Sequence, residues 1–284
     1  MNDLTRLINK MKERIIKRII KGIKTVDGGG VHLKRLIASP ELNMLDPFLL
    51  LDEFGSENPK EYIAGFPSHP HRGFETITYM IKGKFRHEDT AGNKGFLEDG
   101  SVQWMTAGKG VIHSEMPEQT KGQLKGFQLW LNLPKAKKFI EPAYNDIPSK
   151  KIPLVKIPGG SVKVIAGKFN NIEGPGKSHT GVSYYDITLK SNNDSSVPIK
   201  DGWNGFCYVY EGQIVNNQKL SIGCLGLLST EGVFKCSSGE DGSRFILVSG
   251  APLNEPVARG GPFVMNTKNE VLQAFEDYQS GLLG

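Results

Sequence analysis

The feature that most limits what this chain can become is a succession of short apolar or alternating segments, cut apart by glycine and proline. "FETITYMI" begins at Phe74, and it is followed by "KFRHED", "SVQWMTAG", "GFQLWLNL", "VKVIAGKF", "YYDITLK", "FCYVYEGQIV", "GCLGLLS" and "RFILVSGAPL". Thirty-four glycines and 16 prolines supply the turns between them. Strands this short and this regularly interrupted belong to sandwiches, jelly rolls and barrels rather than to helical or βαβ architectures. At 284 residues the chain is too long for one small domain and about right for two. The Pro- and Lys-rich stretch "LPKAKKFIEPAYNDIPSKKIPLVKIPGG" reads as the connection between them, with a boundary near residue 150.

Both ends change period. In residues 1–24, Leu4, Leu7, Ile8, Met11, Ile15, Ile19 and Ile23 recur at spacings of three and four, which predicts a basic amphipathic helix over 1–25. Its longest apolar run is two residues, too short to span a membrane or to act as a secretory signal. At the other end, Thr267 and Glu270 fit a capping box, with Val271, Ala274, Phe275 and Tyr278 as an apolar stripe, so a short terminal helix is expected.

Charge is unevenly placed. Residues 1–24 hold eight basic and two acidic side chains, a net +6 against +5 for the whole chain, which leaves −1 on the body. A near-neutral body excludes a nucleic-acid binder on charge grounds. Cys207, Cys224 and Cys236 are odd in number and contain no CxxC, which suits reduced thiols in a cytosol-like compartment and argues against an iron–sulfur cluster or zinc finger.

Six histidines are present, and two of them flank one proline in "FPSHPHRGFETITY". Side chains two apart on a strand share a face, and Pro70 pushes His69 towards extended geometry, so His69 and His71 can aim at one point. A second pair, His113 and Glu115 in "KGVIHSEMP", has the same spacing. Each pair follows a glycine-rich turn, and in a closed β-sandwich the two can meet across the interior. Together they offer three imidazoles and one carboxylate, a donor set that suits Fe, Mn, Ni, Cu or Zn without choosing among them. The bland alternative for any single histidine is a hydrogen-bonded or exposed strand residue. His32 and His179 fit that description.

The stretches "MLDPFLLLDEF", "GFPSHPHRGFETITYMIKG", "HEDTAG", "GSVQWMTAGKGVIHSEMP", "GFQLWLNLP" and "EPVARGGPFVMNT" resemble the pirin family of the cupin superfamily. The resemblance runs from about residue 26 towards the C-terminus and leaves residues 1–24 outside. It implies an all-β bicupin of two jelly-roll barrels facing each other: a metal-binding domain over 26–150 and a second cupin over 151–284 without a metal site. The lone His179 and the lack of an HxH in the second half agree with that. It further implies Fe(2+) held by His69, His71, His113 and Glu115. General cupins draw their carboxylate from the first motif, where Glu75 falls, whereas pirins take it from the second. Glu75 is therefore expected beside the pocket, with direct ligation in place of Glu115 as the alternative; His87 is expected beside the pocket too, with Phe66, Phe74, Trp104 and Met105 as apolar walls.

The activity implied is that of a quercetin 2,3-dioxygenase, which cleaves the flavonol with O2 and releases carbon monoxide, with Glu115 as the general base. The competing reading is an iron-dependent redox-sensing regulator that binds a protein partner without turnover. A cytoplasmic monomer is expected, also nuclear in a eukaryote.

Overall fold

This computed structural model describes residues 12–90 and 92–283. They form two compact β units interleaved in sequence. The first unit comprises residues 23–151, 176–180 and 253–284, and the second takes the described chain up to Gly22 together with residues 152–175 and 181–252.

The basic helix expected at the start is corrected. Residues 1–11 lie outside the described residues, and the chain from Glu13 is extended: β1 (Glu13–Arg14), β2 (Ile16–Ile20) and β3 (Ile23–Asp27). The spacing of four that suggested a helix is also a multiple of the strand period. Ile16 and Ile20 are accordingly both buried on one face of a strand, while Ile15 is exposed. A run this rich in β-branched isoleucine favours extended backbone, and Gly22 at φ +70° turns the chain between β2 and β3.

The first unit continues with β4 (Val31–Ile37), β5 (Phe48–Ser56), β6 (Phe66–His71), β7 (Phe74–Lys82), β8 (Phe85–Asp89), β9 (Lys94–Leu97), β10 (Val102–Thr106), β11 (Val111–Pro117), β12 (Leu124–Asn132) and β13 (Ala143–Ile147). One sheet has the order β13-β10-β7-β12-β5-β4-β3, and a second has β6-β11-β8-β9. Phe85 and Leu97 of the small sheet pack with Val31, Phe54, Met80 and Leu124 of the large one in a common core. The supposed linker after residue 133 thus contributes a strand, β13, paired with β10.

The second unit holds β14 (Leu154–Ile157), β15 (Gly160–Ala166), β16 (Lys168–Phe169), β17 (Ile172–Glu173), β18 (Val182–Leu189), β19 (Asp194–Pro198), β20 (Asn204–Val215), β21 (Lys219–Ser221), β22 (Leu225–Leu228) and β23 (Val233–Gly250). Its main sheet runs β14-β15-β18-β23-β20-β22-β2, with β1 joined in parallel to β23. Its interior is filled by aliphatic and aromatic side chains together with Cys207 and Cys236. The three cysteines are free. Among the described residues no helix is long and apolar enough to cross a membrane.

The chain then returns to the first unit through β24 (Ala258–Gly260), β25 (Phe263–Met265) and the helix α1 (Lys268–Gln279). Thr267 and Glu270 form the reciprocal capping box, and Val271 and Ala274 face inwards. This return is tied by the ammonium of Lys138, which is 1% exposed. It donates to Gly73 O at 2.7 Å, Asn132 Oδ1 at 2.8 Å and Val264 O at 2.9 Å.

Burial pulls the pKa of Lys138 from 10.5 down to about 8. Between those values the folded chain binds fewer protons than the unfolded chain, so this lysine makes stability rise as pH rises through that window. Lys138→Met is expected to flatten that rise by up to about 3 kcal/mol, read from denaturant midpoints at about pH 7.5 and about pH 10.5. An unchanged slope would refute it.

Candidate metal centre

The small sheet assembles the histidines. β6 and β11 run antiparallel with His113 opposite His69 and Val111 opposite His71, and a bulge between His113 and Glu115 sets Glu115 opposite Phe66. Ring nitrogens of His69, His71 and His113 lie within 4.8 Å of one another. His71 and His113 are buried, at 2% and 1% exposure, and His69 is half-buried.

The donor set fits a divalent cation. Nε2 of His69 and Nε2 of His71 face each other at 3.0 Å. The Nδ1 atom of His69 lies 2.8 Å from Pro67 O. A donor role there leaves its Nε2 as a lone pair, which is how a second contact orients a ligating imidazole. Both ring nitrogens of His113 and Nδ1 of His71 are buried without a hydrogen-bond partner. Buried polar atoms are rarely left this way, and a bound ion is one of the few explanations. Burial, and then the neighbouring imidazoles, push both His71 and His113 well below the ordinary histidine pKa. They are thus held neutral, the form that ligates metal.

Glu115 is fully buried beside them but is not one of the three groups that converge. Its Oε1 accepts from Thr78 Oγ1 at 2.9 Å and its Oε2 from Gln128 Nε2 at 3.2 Å, and burial raises its pKa. Thr78 and Gln128 are register partners on β7 and β12.

Strand parity separates the two glutamates. Thr78 of β7 bonds Glu115, and Phe74, four residues earlier on the same face, packs on His71 at 5.1 Å. Glu75 points to the opposite face. There it accepts from Trp104 Nε1 and Thr106 Oγ1 at 3.2 Å each, from Ser178 Oγ at 2.5 Å and from His179 N at 3.3 Å. The expectation that Glu75 and Trp104 belong to the pocket is thereby corrected. Met105 packs with Ala107, Val111 and Tyr144, away from the cavity. His87 is buried, with Nε2 2.8 Å from Asp146 Oδ2, its ring stacked on Tyr144 and its backbone opposite Glu115.

A cavity of about 590 Å³ opens on His69, His71 and Glu115. Phe66, Leu33, Leu50, Phe54 and Trp130 form its apolar wall. Of the four apolar walls expected from sequence, Phe66 alone lines it, while Phe74 backs it through Trp130 at 4.4 Å. The remaining wall is charged, with Asp27, Arg35, Asp52 and Arg259. Sequence reasoning missed Thr78, Gln128 and Trp130, although a glutamine between Phe127 and Leu129 in a buried strand was a signal. Nothing local pointed to Asp27, Arg35, Asp52 or Arg259.

Three imidazoles on adjoining strands inside a two-sheet β unit could hold a metal ion, with Glu115 buried beside them. The family model described as Pirin matches residues 30–131, and that described as Pirin C-terminal cupin domain matches residues 184–284. A Pseudomonas aeruginosa protein provisionally named quercetin 2,3-dioxygenase is 44% identical over 280 residues, covering 95% of this chain and 98% of its own. A pirin-like protein of Solanum lycopersicum is 44% identical over 275 residues, covering 95% and 92%. The crystal structure of quercetin 2,3-dioxygenase from Acinetobacter baumannii matches with a TM-score of 0.89 at 32% identity, covering 96% of this chain and 99% of that one. The chain belongs to the pirin family.

Proposed function

We propose that this protein is an iron-dependent dioxygenase that cleaves flavonols such as quercetin with O2. His69, His71, His113 and Glu115 would hold Fe(2+). The observation that carries this is the convergence of three imidazoles, two of which line a cavity of about 590 Å³ with one aromatic and aliphatic wall, a size suited to a polycyclic ligand. The names of the Pseudomonas and Acinetobacter relatives support the same reaction.

A bound divalent iron would supply the site where flavonol and O2 meet and exchange electrons. The chain's own residues do the rest. Trp130 and Phe66 offer flat apolar surface to the substrate rings. Glu115 takes the flavonol hydroxyl proton. Its burial raises its proton affinity towards the working pH, and Thr78 and Gln128 hold the carboxylate in place. A positioned base of this kind contributes about 10²–10⁴-fold.

Oxygen uptake on adding quercetin, compared between Fe(2+)-loaded and metal-free protein, tests the reading. Iron-dependent uptake with loss of the flavonol is expected. Bound iron without uptake would refute turnover and support the partner-binding regulator instead.

A further inference from the structure

The charged wall of the cavity is not evenly committed. Arg35 serves both carboxylates: Nε and Nη2 reach Asp52 at 3.0 and 2.7 Å, and Nη2 also reaches Asp27 at 2.7 Å. The remaining oxygen of Asp27 accepts from Gly28 N at 2.8 Å. Burial pushes Asp52 up to about 6, so it is ionised against Arg35 at neutral pH.

Arg259 is differently placed. Its guanidinium lies 4.9 Å over the Trp130 ring, and Nη1 donates to Leu49 O at 3.2 Å. Its other nitrogens have no hydrogen-bond or ion-pair partner among the described residues. The residue is exposed and lines the cavity, so these donors are open to a ligand. Trp130 in turn lies 5.1 Å from the His71 ring. The two spacings together keep the guanidinium within about 10 Å of that imidazole, inside the reach of one polycyclic molecule.

We propose that Arg259 is the anchor for an anionic group on the substrate. On this view the cavity prefers aromatic enols that carry a carboxylate or sulfonate-like charge at the end away from the histidines. This rests on reading the cavity as the substrate site. A guanidinium pre-set on an aromatic face and holding free donors presents the planar fork that matches such oxyanions. The two carboxylates on the same wall act on Arg259 through charge, but their hydrogen bonds go to Arg35 and leave the Arg259 fork open.

The test compares quercetin with a quercetin sulfonate, titrated into metal-free protein and followed by calorimetry. Wild type is expected to bind the sulfonate at least about tenfold more tightly, the size of one charge-assisted interaction. The preference should shrink with added salt. Arg259→Gln should remove it, read as the ratio of the two Kd values within that variant. Arg259→Lys, which keeps the charge and loses the fork, should retain part. In iron-loaded protein, Arg259→Gln should raise KM for the sulfonate with kcat unchanged. Equal affinities in wild type, a preference that survives Arg259→Gln, or no binding of either probe would overturn the proposal. Failure of oxygen uptake would sink the dioxygenase reading and leave this binding comparison standing.

Discussion

Alanine in place of His71 is expected to abolish metal binding and oxygen uptake together. His71 is 2% exposed, faces His69 through Nε2 at 3.0 Å and packs against Phe74 and Trp130. Even residues that only orient a ligand are worth about 10–100-fold in metal affinity, so loss of a ligand is expected to exceed a hundredfold. Metal content by mass spectrometry should fall from about one per chain to near zero. The rise in melting temperature that added iron confers on wild type should disappear, since that rise is linkage to binding. His179→Ala is the control: His179 is exposed, and the contact it makes with Glu75 is through its backbone N–H, so its metal content should not change. Iron retained by the His71 variant at wild-type stoichiometry would sink the ligand assignment.

Replacing Arg14 by methionine is expected to cost the second unit at least about 3 kcal/mol, since several carbonyls lose their donor at about 1–3 kcal/mol each. The side chain is fully buried. Its five N–H donors meet five carbonyls: Nε reaches Gly232 at 3.0 Å, Nη1 reaches Trp203 at 2.9 Å and Ser229 at 2.6 Å, and Nη2 reaches Lys200 at 2.7 Å and Thr230 at 2.8 Å. Methionine has similar volume but offers no donor: Lys200 O and Thr230 O keep the amides of Trp203 and Gly202, while the carbonyls of Gly232, Trp203 and Ser229 lose the guanidinium, and each unmade bond of that kind is expensive. Arg14→Lys should be intermediate, since an ammonium has three donors and no fork. Hydrogen exchange at the amides of Val233–Gly250, to which Glu13 and Arg14 pair, reads the effect where it arises. Protection within about 1 kcal/mol of wild type would show that the carbonyl cluster is not held by this residue.

Arg14 also shows where sequence reading failed and why. Its position among isoleucines spaced by four suited a helix as well as a strand. The choice was made by partners more than 180 residues away. Glu75 failed in the opposite way: its place in the first motif suggested the pocket. Alternation along β7 sends it to the other face, while Phe74 and Thr78 take the site face. Trp104 followed Glu75, because the two are bonded there.

What the sequence determined by itself was local. Glycine and proline set the turns, alternation set the strands, and the capping box at Thr267 started the last helix. The spacing of two in "HPH" and "HSE" put the donors on shared faces. Tertiary structure alone decided the register that sets His113 opposite His69, the bulge that brings Glu115 beside them, and the gathering of Asp27, Arg35, Asp52 and Arg259 onto one wall. Asp27, Arg35 and Asp52 lie on three successive strands, β3, β4 and β5, and Arg259 joins them from β24, more than 200 residues further on. Strand pairing joins residues by hydrogen bonds whose partners no local pattern names, so a wall built across strands has no signature in any one of them.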